Sequence, residues 1–228
     1  MKIVLFLLLL TTFFSSQAFG DFYFSPGGIF TTSFKSKAKT SDEKEIVRAN
    51  SGVGLELDFE TNLFWGFSFA LMGSYSSSGA QVEYSYIDPQ NSSVSNTTSD
   101  LESTMDMLTG YLGMRWRLIN SKQFKFLVGG GVLGGSANIN HDEFDFKNRN
   151  NQSLEGYKMS SSNSYVGSYY EAGLAYYWND KNGLRLQGRQ INFKTKDFET
   201  LGKTSIKANY LQVGIFYIHI IDMKALWR

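Results

Sequence analysis

Two histidines, His141 and His219, and the absence of cysteine narrow the nucleophilic and metal chemistry open to this 228-residue chain. His141 stands near Ser136, Asp142 and Glu143, the residue types of a hydroxyl nucleophile, a base and a carboxylate that orients the base. No wider motif surrounds the group. His141, Asp142, Glu143 and Asp145 also offer an imidazole and three carboxylates to a divalent cation, and the same run reads as a solvated loop. Without cysteine there is neither a thiolate ligand nor a disulfide framework. The expectation is no catalytic centre, no metal site and no cofactor.

The remaining charged residues show more order. Glu56, Asp58 and Glu60 are spaced by two, as are Arg115 and Arg117; Glu171, Arg185 and Arg189 fall in similar contexts further on, and Lys125 joins them. Each is interleaved with apolar residues, which places charge on one face of a strand and grease on the other. Both signs are present. An ionised carboxylate taken out of water must be paired, and Glu171 has Arg185 or Arg189 on the next strand as its natural partner. These eight residues, Glu56, Asp58, Glu60, Arg115, Arg117, Glu171, Arg185 and Arg189, are expected to form an ion-pair plug.

The elements that would hold them are strands. Val53, Leu55, Leu57 and Phe59 alternate with Gly54, Glu56, Asp58 and Glu60. Leu108, Leu112, Met114, Trp116 and Leu118 alternate in the same way with Thr109, Tyr111, Gly113, Arg115 and Arg117. Collecting such runs predicts eight strands, at roughly 21–35, 46–61, 65–86, 102–118, 123–140, 164–178, 183–194 and 204–220. Around Arg189 the parity slips, because Ile191 and Phe193 fall on the charged face, and a bulge is the simplest account. Short links at 62–64, 119–122 and 179–182 alternate with long polar links at 36–45, 76–100, 141–163 and 194–203. That is the layout of an all-β, eight-stranded antiparallel transmembrane β-barrel with short periplasmic turns and long extracellular loops.

Alternation alone leaves open which face is wet. A soluble barrel points its apolar face inward, whereas a barrel in lipid points it outward. The mixed-sign charges suit a small lumen, and an apolar band bare of charge at mid-strand suits acyl chains. Trp65, Trp116, Trp178 and Trp227 all map to the short-turn end, as a periplasmic aromatic girdle would.

Residues 1–20 read as a secretory signal peptide: Lys2, an apolar stretch from Ile3 to Phe14, and Ala18-Phe19-Gly20 before Asp21. The barrel domain is then 21–228. The apolar stretch falls short of the ~20 residues that span a bilayer as a helix. With 22 basic and 21 acidic residues the chain lacks the basic excess that nucleic acid demands. Aromatics at 16% with only two prolines favour strands.

The chain thus resembles the eight-stranded outer-membrane proteins, the superfamily of the OmpA membrane domain, OmpX, OmpW and the opacity-type surface antigens. The most specific piece is the final strand. Gln212, Gly214, Tyr217 and His219 are similar to the polar-x-Gly-x-x-aromatic-x-aromatic signal read by the barrel-assembly machinery, with His219 in place of the last aromatic and residues 220–228 following. The resemblance implies residence in the bacterial outer membrane, with outer-membrane lipids and lipopolysaccharide, and the assembly machinery, as partners. Some barrels of this size act on lipid A, and for that chemistry His219 would lie at the wrong leaflet. The loops 77–100 and 141–163, rich in Ser and Asn with Tyr84, Tyr86, Phe144, Phe146 and Tyr157, are the expected seat of a structural or surface-interaction role. A narrow channel or transporter for small hydrophobic molecules or ions is the alternative, and a lipid A-modifying enzyme a third.

Overall fold

The computed structural model describes residues 21–39, 43–63, 65–87, 95–141, 144–147, 153–157, 160–195 and 207–221. The predicted leader at 1–20, Trp227, Asp142 and Glu143 lie outside them.

Every described element is a strand. In chain order they are β1 (Phe22–Thr31), β2 (Phe34–Lys39), β3 (Glu43–Asn62), β4 (Phe67–Ile87), β5 (Ser95–Asn120), β6 (Phe124–His141), β7 (Phe144–Lys147), β8 (Ser153–Tyr157), β9 (Ser160–Tyr177), β10 (Asn182–Thr195) and β11 (Lys207–Ile221). Hairpin neighbours pair antiparallel around one sheet, and β1 closes it by pairing with both β11 and β3. β1 and β2 sit one above the other against β3, so the wall has eight positions. β7 and β8 form a separate hairpin between β6 and β9. At the level of β1 the ring closes without a free edge, as a hydrocarbon environment requires; nearer the loop end β2 pairs with β3 alone.

Short turns are held by local chemistry. Asn179 Oδ1 accepts the backbone N–H groups of Lys181 (2.9 Å) and Asn182 (2.7 Å), closing the β9–β10 turn. Ser121 ties β5 to β6, its hydroxyl accepting from the Phe124 N–H at 2.9 Å. Between β3 and β4, Gly66 takes a left-handed φ of 81°, and Leu63 N–H donates to Phe67 O. Trp65 therefore belongs to this turn, and β4 starts at Phe67 instead of 65.

The apolar faces point outward. Leu55 is 72% exposed and Leu112 45%, while Asp58 is 0% and Arg115 1%. The exposed band includes Phe30, Leu71, Leu108, Val132, Leu174, Leu186 and Ile215, and so runs around the wall. Among the described residues no helix is long and apolar enough to cross a membrane.

Two expectations are corrected. The parity slip near Arg189 is not a bulge: β10 pairs with β9 and β11 in unbroken register, and Ile191 and Phe193 point inward with Arg189. The interior changes character there, from ionic to apolar. Register shifts occur elsewhere, between Ala49 and Gly52, Val82 and Tyr84, and Arg117 and Ile119. The polar links at 36–45, 76–100 and 141–163 are shorter than the sequence predicts, because strands extend into them. The β4–β5 ladder continues to the pair Ile87 and Ser95, because backbone hydrogen bonds extend a hairpin where no apolar face marks it.

Candidate functional site

The interior is built from inward positions of all eight wall segments and has three levels. At the short-turn end Tyr23, Ala175, Tyr177 and Ile218 form a small buried cluster. Two cations cap it, the Arg117 guanidinium 4.8 Å above the Tyr23 ring and the Lys125 ammonium 4.5 Å above that of Tyr177. A polar vestibule of about 340 Å³ opens beside them, lined in part by Asp21, Asn62, Arg117 and Lys125.

At mid-barrel the structure brings the eight charged residues together. Arg115 holds Glu171 at 2.5 Å, Asp58 at 2.7 Å and Glu60 at 3.0 Å. Arg189 grips Glu56 with both terminal nitrogens, at 2.7 and 3.0 Å, and reaches Glu171 at 3.1 Å. Arg185 bonds Asp58 and lies 3.6 Å from Glu60, and Arg117 bonds Glu60 and Asn62. Four guanidinium groups face four carboxylates, so the network is neutral as well as buried. Part of its surplus hydrogen-bonding capacity goes to Ser68, which donates to Glu60 at 2.6 Å, to Gln187, which donates to Glu171, and to Gln212, which accepts from Arg189 at 2.8 Å, while Asp58 Oδ1 and Arg185 Nε are buried without a hydrogen-bond partner.

Of the two partners expected for Glu171, Arg189 is the one that pairs with it; Arg185 turns toward Asp58 and Glu60 and stacks 4.8 Å over Phe216. Direct cross-strand register gives Glu171 to Arg189. The second guanidinium reaches Glu171 across the width of β6, where Gly129 stands opposite both Arg115 and Glu171. A β-carbon on Gly129 would lie 3.0 Å from Arg115 Cγ and from Glu171 Oε1. Gly129, Ser68, Gln187 and Met72 were not singled out from sequence; the glycine's meaning depends on what its neighbours in the barrel carry.

Above the ions the interior is apolar and aromatic. Met105, Tyr111, Leu133, Ile139, Tyr165, Tyr169, Ile191, Phe193 and Tyr210 form one buried cluster. Phe34 stacks on Tyr210 at 5.4 Å, and Tyr165 lies 4.7 Å from Phe193. Tyr111 and Tyr169 join the two levels, their rings 4.4 and 5.2 Å from the Arg189 guanidinium.

Outside the wall at the turn end, Trp116 stacks on Phe67 at 5.5 Å and Trp178 lies 6.1 Å from Tyr217. Trp65 is 88% exposed in its turn. Phe59 contacts Phe22 and Phe24, and Phe124 contacts Tyr176, so the aromatic population is wider than the tryptophans.

The final-strand residues each have a place in the folded wall. Gln212 faces inward onto Arg189, and Tyr217 faces outward with its hydroxyl 2.6 Å from Asn182 Oδ1. Gly214 leaves room for the Phe216 ring, which a β-carbon would meet at 2.5 Å. His219 Nδ1 lies 2.9 Å from Asn182 Oδ1. His141 ends β6 and Ser136 lies on the same strand, whereas two of the carboxylates proposed beside them fall outside the described residues. Among the described residues no group of three His, Cys, Asp or Glu side chains could hold a metal.

The family model for the outer membrane protein beta-barrel domain matches residues 4–218. The chain belongs to this family. Its place is the bacterial outer membrane. Among solved structures this outer-membrane barrel is similar to the outer membrane protein OprG of Pseudomonas aeruginosa, at 16% identity and TM-score 0.57, over 90% of this chain and 97% of that one. It is similar also to the outer membrane protease OmpT of Escherichia coli, at 10% identity and TM-score 0.56, over 91% and 99%. The outer membrane protein AlkL matches at 14% identity and TM-score 0.51, over 92% and 93%. No curated protein matches. At these identities the likeness establishes the barrel fold, and the role must come from the barrel's own residues.

Proposed function

We propose that this outer-membrane barrel is a closed, non-conducting scaffold whose work is done by the loops it displays, in a structural or surface-interaction role without catalysis. The observation that carries the reading is the neutral guanidinium–carboxylate network across the lumen. An eight-stranded wall encloses only about the volume its side chains fill. Here the midplane is occupied by four arginines and four acids that hold one another, with packed apolar side chains above. An ion would have to break several charge-assisted bonds to pass.

Planar-bilayer recording on the purified barrel tests it. Closed traces are expected under applied voltage, and discrete steps in the wild-type protein would refute the plug. Replacing residues 88–94 and 148–152, within the polar links after β4 and β7, with Gly-Ser segments should leave the barrel folded while abolishing adherence of expressing cells to host or bacterial surfaces. Unaltered adherence would remove the loops from the mechanism.

The apolar upper interior favours a second reading, reception of small hydrophobic molecules from the cell surface. An uncharged naphthalene dye whose emission rises on transfer to apolar surroundings separates the two. Saturable binding lost in Phe193→Asp would favour reception; no saturable binding favours the scaffold.

A further inference from the structure

The lumen holds one cation more than its network answers. The four guanidinium groups at mid-barrel each meet a carboxylate, but β6 turns a further ammonium, that of Lys125, inward at the short-turn end. Its contacts are aromatic: the Tyr177 ring at 4.5 Å and the Tyr23 ring at 5.4 Å. It forms no ion pair with a carboxylate among the described residues. A half-buried lysine ordinarily runs its stem along apolar surface and delivers the charged head to water. Lys125 instead lays its head over two phenol rings, on a strand position opposite Asn120 of β5 and Ala175 of β9.

That head borders the vestibule of about 340 Å³, which also takes in Asp21, Tyr23, Asn62, Trp65 and Asn120. Its size falls at the small end of ligand pockets, about 300–1,000 Å³. One side is fixed. Asn62 donates to the Tyr23 hydroxyl at 2.9 Å and accepts from Arg117, which Glu60 also holds. The charge of Arg117 is therefore answered, and that of Lys125 is left for a ligand. The Tyr23 hydroxyl, accepting from Asn62, keeps its own proton to donate. Asn120 adds an exposed amide, and the Asp21 carbonyl accepts from the Asn62 N–H at 3.4 Å. At the rim Trp65 takes a φ of 50°, a left-handed conformation that a bulky residue rarely adopts. This holds its indole 88% exposed, against 45% for Trp116 and 51% for Trp178 in the outer belt.

We infer that this vestibule binds the carboxylate end of a short peptide, with the carboxylate against Lys125 and the Tyr23 hydroxyl, a backbone amide on Asn120 and the preceding side chain on the Trp65 indole. One free cation matches a single negative charge. A phosphate dianion would leave a charge unanswered close to the Asp21 carboxylate, and it would use neither the amide nor the indole. The sequence reading places the short turns in the periplasm, where such ends belong to cell-wall peptides, which finish in D-alanine, and to protein chains, which finish in L-residues. The inference is independent of what the loops at the far end do.

The test is a solution NMR titration of the nitrogen-labelled full barrel in nonionic detergent, read at the tryptophan indole N–H signals, with that of Trp65 assigned by its loss in Trp65→Phe. The probes are acetyl-lysyl-D-alanyl-D-alanine, its L-alanyl-L-alanine counterpart, the C-terminal amide of each, and inorganic phosphate. A saturable shift of the Trp65 signal is expected with the free acids, with the Trp178 signal unmoved. Tighter binding of the D-form would assign the site to cell-wall peptides, and of the L-form to protein ends. The amides should bind about tenfold more weakly, the worth of one charge-assisted hydrogen bond. Lys125→Gln should weaken the free acid by about the same factor and cease to tell acid from amide. Lys125→Arg should restore that distinction, and Lys122→Gln, in the β5–β6 turn, should bind like wild type. Should Lys125→Gln fail to migrate as a folded barrel, the acid-against-amide comparison on the wild-type protein still decides. No saturable shift with any peptide overturns the site, as does equal binding of acid and amide by wild type. A Lys125→Gln barrel that still prefers the acid would remove the lysine from it. Displacement of the peptide by inorganic phosphate at equal concentration would identify a simple anion site and overturn the peptide assignment.

Discussion

Replacing Glu171 with alanine tests the lumen network at the carboxylate that two arginines share. Arg115 approaches it with Nε at 2.5 Å and Nη2 at 3.4 Å, Arg189 with Nη2 at 3.1 Å and Nε at 3.2 Å, and Gln187 adds an amide. Truncation leaves one uncompensated positive charge in a buried layer. Removing one partner of a buried ion pair costs about 3–5 kcal/mol. Arg115 keeps Asp58 and Glu60, and Arg189 keeps Glu56, so the low end applies. A loss of about 3 kcal/mol corresponds to about a hundredfold fall in the folded-to-unfolded ratio. Glu171→Gln retains the shape and an acceptor oxygen, and should cost about half as much. Urea titrations of the barrel in lipid vesicles, followed by tryptophan fluorescence and by the folded band on an unboiled gel, measure both. An alanine variant within about 0.5 kcal/mol of wild type at unchanged m-value would refute a dry, charge-balanced interior. An equal loss in both variants would place the stability in the carboxylate charge alone, and a glutamine variant as stable as wild type would place it in shape and not in charge.

Gly129→Val forces a β-carbon within 2.8 Å of Met114 O and against Arg115 and Glu171, and should cost about 1–3 kcal/mol in the same titration. Gly73→Ala, whose β-carbon meets nothing within 4 Å, is the control and should remain near wild type. In single-tryptophan variants, Trp116 and Trp178 should be quenched more by lipids brominated near the headgroup than by lipids brominated at chain ends; the reverse order would dismiss an interfacial role for the aromatic belt. Tyr217→Ala should slow appearance of the folded form in cells more than in purified lipid, and equal slowing would mean a wall contact and not a signal to the assembly machinery. Mass spectrometry of the mature protein should find Asp21 at the N-terminus, and an intact Met1 would rule out cleavage of the leader.

Much of the wall was legible from alternation. The period of two over 53–60 and 108–118 depends only on each strand separating lipid from lumen, a local constraint that every residue feels. The charged positions were legible for the same reason, since Glu56, Asp58, Glu60, Arg115 and Arg117 carry their inward direction in their parity. The strand extensions beyond the apolar band left no such mark. There both faces are polar, and the β4–β5 ladder to Ile87 is held by backbone hydrogen bonds that any residue type can make.

The sequence by itself determined that there is a barrel, how many times it crosses, and which residues turn inward, because these follow from side-chain parity and link length. Only the tertiary structure decided who pairs with whom. Which arginine reaches Glu171 depends on the register of β10 and β6 against β9, and on the missing side chain at Gly129, whose place Arg115 and Glu171 fill. The change from an ionic middle to an aromatic upper lumen arises likewise from strands distant in sequence arriving at one height. No period within a single strand encodes that height.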